Sequence, residues 1–520
     1  MTEPGDCCRL AGKKQPGLLS PPGNELQLTA SIGDRRPPVA GRKQPWLLAA
    51  ALLLFSLPAY SANGWEAKMA AATRAYQGGR YGEAEKFFLA AAKAAEAFGP
   101  ADLRLGLTLN NLAALYESQG NYRQAESLYR RALGIAEGAL GPEHPNVAAT
   151  LNNLGQLYRA QAKYKEAEVL YDRALKIREA ALGPAHPDVA QSLSNLAALY
   201  DFLGKGSRRQ AEPLYLRALA IREKALGPAH PDVAVTLNNL AELYRSQAKY
   251  KEAEPLYLRS IAILEKTRGA AHPDLANTWN NLAELYRGLG RYAQAEPLYA
   301  RALESLEKTL GPGHPNLAAI LNNLAELYRV QGKNRQARPL YHRSLGILTK
   351  AFGPQHPGLG PVLNNLAELY RGEAEFARAE PLYQRALAIV EKALGPSHPD
   401  VAIAWNNLAE LYDEQGNHLR AGRIYRRSLA ILEKALGPDH PNVAAVLNRL
   451  AQQYDFQGKY SLAEPLYRRA GAILATSLGP DHKETRATRE SHAGVLEKIR
   501  QEEEIQRMEA GAKARPQESR

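Results

Sequence analysis

Nine of the twelve histidines, His144, His186, His230, His272, His314, His356, His398, His440 and His482, occupy one slot that returns about every 42 residues. A metal ion would need several such donors within about 2 Å. Packed helices stand about 8 to 10 Å apart, so one imidazole per unit builds no cluster, and neither a metal nor another cofactor is expected. Gly204-Lys205-Gly206-Ser207 has its glycines and lysine in the wrong order for a phosphate loop, and no strand precedes it. It reads as a two-residue insertion in one inter-helix turn. No Ser-His-Asp set or carboxylate pair stands out from the repeated background, so the chain is not expected to be an enzyme.

The polar residues that do form a pattern are amides and ion pairs. A second Asn recurs as Asn111, Asn153, Asn195, Asn239, Asn281, Asn323, Asn365 and Asn407, until Arg449 breaks the row. An amide both donates and accepts, so such a row can pair with an extended peptide's main chain without demanding particular side chains. The competing reading is that these amides tie neighbouring helices together. Beside them stand Glu242, Glu284, Glu326, Glu368 and Glu410, the first four followed three residues later by Arg245, Arg287, Arg329 and Arg371. At that spacing each pair can close within one helix for a few tenths of a kcal/mol. Alternatively, stacking makes acidic and basic stripes able to orient a partner of mixed charge.

The elements that position these residues follow from the run LNNLA-x-LY. Its first residue falls at Leu109, Leu151, Leu193, Leu237, Trp279, Leu321, Leu363, Trp405 and Leu447, with spacings of 42 and one of 44. Only stacked repeats keep one period for so long. Within a unit, Leu151, Leu154, Gly155 and Tyr158 fall at helical spacing, and after Gln161-Ala162-Lys163-Tyr164 a second set repeats it from Ala167 to Leu175. Each unit is therefore two amphipathic helices with a tight turn that usually reads QG-x-Y. The loop LGP-x-HP then ends one hairpin and starts the next. Its His precedes a Pro and falls where an N-cap would, with Pro at the first helical position. Most of the 26 Tyr sit in three recurring slots and are read as packing between helices.

Helix-turn-helix units with LNNLA, QG-x-Y-x-x-AE and RAL resemble the tetratricopeptide repeat family. The 42-residue length and LGP-x-HP linker make them similar to its kinesin-light-chain and nephrocystin type. The resemblance covers residues 66–482 and implies an all-α fold, an α-solenoid wound as a right-handed superhelix whose first helices line a concave groove for an extended peptide or a helix. Residues 66–100 form a degenerate first unit, and residues 483–520 a capping helix and charged tail built on Val495, Leu496 and Ile499. The family's motor-cargo role is not carried over, because its amino-terminal heptad coiled coil is missing.

Residues 1–61 read as an extension and a signal peptide. Trp46 to Leu57 is apolar, basic residues precede it, and Ala59-Tyr60-Ser61-Ala62 suits cleavage. About twelve apolar residues fall short of the roughly 20 that span a bilayer, so a cleaved signal over about residues 42–62, a periplasmic or secreted protein and no stable membrane span are expected. Both cysteines, Cys7 and Cys8, lie in this extension. The net charge of +12 over 520 residues is modest and the signs alternate, so nucleic acid is not the expected partner. The leading reading is a non-enzymatic scaffold that holds a protein partner's peptide or helix in the groove; the alternative is an anionic polymer, nucleic acid or cell-wall glycan, lying along it.

Overall fold

The computed structural model describes residues 64–203, 208–269 and 272–513. The signal-like segment and the Gly204–Ser207 insertion lie outside the described residues. The helices are α1 (Trp65–Gln77), α2 (Tyr81–Glu96), α3 (Leu103–Ser118), α4 (Tyr122–Leu140), α5 (Pro145–Ala160), α6 (Tyr164–Leu182) and α7 (Pro187–Leu203). They continue as α8 (Arg208–Leu226), α9 (Pro231–Ser246), α10 (Tyr250–Arg268), α11 (Pro273–Gly288), α12 (Tyr292–Leu310), α13 (Leu317–Val330) and α14 (Asn334–Phe352). The last are α15 (Leu359–Gly372), α16 (Phe376–Leu394), α17 (Pro399–Glu414), α18 (His418–Leu436), α19 (Pro441–Phe456), α20 (Tyr460–Ser477) and α21 (Lys483–Lys513). The described residues contain no strand, and none of their helices is long and apolar enough to cross a membrane.

Both junctions are built as their residues dictate. At His144, His230, His272, His398 and His440 the backbone is extended, and the imidazole Nδ1 accepts from the N–H two residues on, at 3.1 to 3.2 Å. That satisfies one of the donors every helix start leaves open. Before each such loop a glycine such as Gly311, at φ 88°, breaks the preceding helix. The inter-helix turn needs a left-handed residue, usually glycine, but Ala162, Ala248 and Ala374 fill it at φ 57 to 58°. A methyl group is therefore tolerated there at a modest strain cost.

Packing is a sum of thin layers. In each hairpin the first helix buries its Leu and Ala positions, and the second its Ala and Tyr positions: Ala167 and Tyr171 in α6, Ala337 and Tyr341 in α14. The other Tyr slot ties units together, since the hydroxyls of Tyr200, Tyr244, Tyr286, Tyr328 and Tyr412 donate to Glu168, Glu212, Glu254, Glu296 and Glu380 of the preceding second helix at 2.8 to 2.9 Å. Consecutive first helices also touch one another, as α13 touches α11 and α15, which places them on the inside of the curve. At the ends, Trp65 of α1 donates its indole N–H to Thr108 at 2.9 Å, and α21 lays Val495 and Ile499 over Ala451, Ala463 and Tyr467. Leu496 does not join that cover and stays 37 % exposed.

Candidate interaction face

The amide row runs along the inside of the curve, and at least five of its eight members are engaged within the protein. Asn153, Asn281, Asn323 and Asn365 each donate from Nδ2 to the first Asn of the preceding unit, Asn110, Asn238, Asn280 and Asn322, at 3.0 to 3.1 Å. The row therefore braces successive first helices. It changes character along the array: Asn111, Asn153, Asn195 and Asn239 are half-buried, whereas Asn281, Asn323, Asn365 and Asn407 are buried. Asn195 accepts from Gln191 at 3.1 Å instead of joining the brace, because the neighbouring Asn152 turns to Ser192.

The Glu-Arg pairs close within their helices, as i,i+3 spacing allows. Arg245, Arg287, Arg329 and Arg371 donate to Glu242, Glu284, Glu326 and Glu368. Behind each carboxylate stands a tyrosine from the second helix: Tyr257, Tyr299, Tyr341 and Tyr383 donate to the same four glutamates, Tyr341 to Glu326 at 2.9 Å. Spacing in sequence shows the pairs; the third member comes from a tyrosine 15 positions on, in a slot that the sequence presents as packing alone. In the central units these are not surface pairs, since Glu284, Glu326 and Glu368 are buried. Burial alone would raise the Glu284 carboxyl, but Arg287 beside it holds it down at about 2, and Arg329 likewise lowers Glu326. At Glu410 burial prevails and the carboxyl is raised, although Arg449 lies 2.8 Å away and Arg371 3.8 Å away. Arg245, Arg287, Arg329, Arg371 and Arg449 of this face thus already hold carboxylates, whereas Arg159, which takes the slot of Arg245 in α5, has Gln156 in place of the glutamate and bonds to Tyr171.

Two features escaped the sequence reading. Arg178 and Arg222 take a slot filled by Leu264, Leu306 and Leu348 in later units and are buried there. Their guanidinia donate to Ser192 at 3.0 Å and to Thr236 at 2.6 Å. The second concerns the capping histidines. His314, His356, His398 and His440 place Nε2 within 2.9 to 3.4 Å of the carbonyls of Gln77, Ser118, Ala160 and Phe202. The start of α13 therefore stands on the end of α1, α15 on α3, α17 on α5 and α19 on α7. Six units complete one superhelical turn, and the second turn rests directly on the first. No local pattern encodes a contact across some 238 residues. Among the described residues no group of His, Cys, Asp and Glu is placed to hold a metal ion.

A family model for the tetratricopeptide repeat matches residues 67–138, 104–180, 146–207, 205–266, 274–339, 317–392, 361–433 and 400–476. No curated protein matches the chain. Among solved structures, BtubC from P. vanneervenii is 24 % identical, with 47 % of this chain and 92 % of that one covered and a TM-score of 0.36. A Podosopora anserina putative kinesin light chain with nearly identical TPR-like repeats is 28 % identical over 40 % of this chain and 97 % of that one, with a TM-score of 0.34. A Rap protein solved with competence and sporulation factor is 15 % identical, with 71 % and 98 % covered and a TM-score of 0.47.

Proposed function

We propose, since the chain belongs to the tetratricopeptide repeat family, that it is a non-catalytic scaffold whose inner face holds an extended segment of a protein partner. The observation that carries this reading is the row Asn111, Asn153, Asn195 and Asn239, which runs along the consecutive first helices α3 to α9 on the inside of the curve and keeps an amide partly exposed at each unit. Such a row suits a main chain better than any one side chain.

The first turn is the part of the amide row to test, because Asn111, Asn153, Asn195 and Asn239 keep partial exposure. An anionic polymer is disfavoured by the neutralised arginines.

The test compares the protein with a variant carrying Asn111→Ala, Asn195→Ala and Asn239→Ala, after equal helicity has been confirmed by circular dichroism. Asn153 is left in place because it braces Asn110. Periplasmic and extracellular extracts are the first source of partners, as the signal-like run directs. A protein captured by the parent and lost, at least tenfold, from the variant supports the inner face as the site. Equal capture by both moves recognition to the outer helices or loops.

A further inference from the structure

Nine capping histidines share one local geometry, His482 among them, and the eight that precede it divide into two classes by what lies behind them. In His144, His186, His230, His272, His314, His356, His398 and His440, Nδ1 accepts the N–H two residues on. A neutral imidazole that accepts at Nδ1 carries its proton on Nε2. In the second-turn histidines that proton points at a carbonyl in the last turn of a first-turn helix, a group its own helix leaves unpaired. One side chain thus caps the upper helix at its start and the lower helix at its end.

Three further observations mark the same seam. The ring of Phe352 stacks on Tyr81 of the first turn with centroids 4.7 Å apart, and on His356 at 4.2 Å. Ala351, Phe352 and Leu436 pack against the hydrophobic core of the first turn. The inter-helix glycines under the seam are crowded: a Cβ on Gly120 would come 2.5 Å from Pro357, and one on Gly79 3.0 Å from His314 and Pro315. Gly290, Gly332, Gly416 and Gly458 hold the same slot at similar φ with nothing within 4 Å, because no further turn stands on them.

We propose that this seam is a clasp: the array rests as a closed two-turn coil whose inner channel is shut off at the side, and the turns part at the histidine row to admit a partner segment. The proposal rests on the inner face being the binding face. A channel sealed along its flank is open only at its ends, so an internal segment of a folded partner cannot enter sideways while the seam is made. The clasp therefore sets apparent affinity through the fraction of open coil.

The experiment uses the full chain with His314→Asn, His356→Asn, His398→Asn and His440→Asn together. Asn keeps the cap, since its Oδ1 accepts the same N–H, but is too short to reach the lower turn. The matched control places His144→Asn, His186→Asn, His230→Asn and His272→Asn, which alters as many caps and no seam. For labelling, both are built with Cys7→Ser, Cys8→Ser and one inner-face probe, Asn239→Cys; capture is measured on the same histidine variants with Asn239 in place. Without any partner, the seam variant should give a longer maximum dimension in small-angle X-ray scattering, and its probe should react about tenfold faster with a bulky maleimide-polyethylene glycol. Iodoacetamide, small enough for the channel ends, should label both proteins at one rate. Equal dimensions and equal polymer labelling in the two variants would overturn the clasp. If labelling rises but capture of the extract partner does not, the clasp stands as a closure and its coupling to binding falls, together with the inner-face reading.

Discussion

At the residue scale the informative groups are those whose partners come from elsewhere in the fold. Glu326 and Arg329 are three apart in sequence and read as an ordinary helical pair, yet each side chain is only 10 % exposed and Tyr341 completes the set. Removing one member leaves an uncompensated buried charge, which costs about 3 to 5 kcal/mol, whereas replacing both by apolar groups is often neutral. Arg329→Met should therefore lower the urea midpoint clearly, and adding Glu326→Leu should recover most of the loss. A double variant no better than the single one would show that the carboxylate is not held by this arginine. By contrast, the pairs between second helices, such as Arg259 with Glu223 or Arg301 with Glu265, are largely exposed and contribute little.

At the element scale the array is a stack in which every hairpin depends on its neighbours, so its ends decide where it begins to open. The last hairpin, α19 and α20, is covered by α21 through Val495 and Ile499. Ending the chain before Lys483 should expose Tyr467, Ala451 and Ala463 to water. Amide exchange should then rise in α19 and α20, while α3 to α8 keep their protection; uniform loss along the chain would mean that the array melts as one unit and not from its end. The charged remainder of α21 extends past this contact, with Ile505 and Met508 exposed, so only its first turns act as a cap.

At the scale of the whole molecule, closure of the coil adds a dependence on pH that a single turn would lack. Burial pushes the imidazoles of His314 and His356 below their ordinary value, against the opposing pull of the Gln77 and Ser118 carbonyls. A folded-state value below the unfolded one, about 6.5, means that the unfolded chain binds the proton more readily. Their contribution is then complete above that value and is lost as pH falls through the folded value. Protonation also removes the lone pair on Nδ1 that caps the upper helix. From about pH 7 down to about pH 5 the maximum dimension in solution should increase, and the seam variant with four Asn should show no such step. Glu284, held at about 2, does not titrate in that window. A step of equal size in both proteins would assign the change to carboxylates such as Glu410 and Glu414, which are raised.

Much of this protein was legible in its sequence because repeat proteins are local. A 42-residue period, helical spacing of Leu151 to Tyr158, a His-Pro cap and a glycine stop each act within a few residues, and hairpin stacking needs only the next unit. The same locality made the amide row and the Glu-Arg pairs visible as a face, although the sequence could not say whether Asn323 reaches outward or, as it does, to Asn280. What only the tertiary structure decided is the accumulated turn per unit. Small rotations at each interface add until six units bring α13 onto α1, and that sum depends on every packed side chain between them. His272 and His314 hold the same slot of the repeat, with the same cap and the same following proline; one begins the last helix column of the first turn and the other meets Gln77. The repeat determined the step, and the packing of successive steps determined where the coil meets itself.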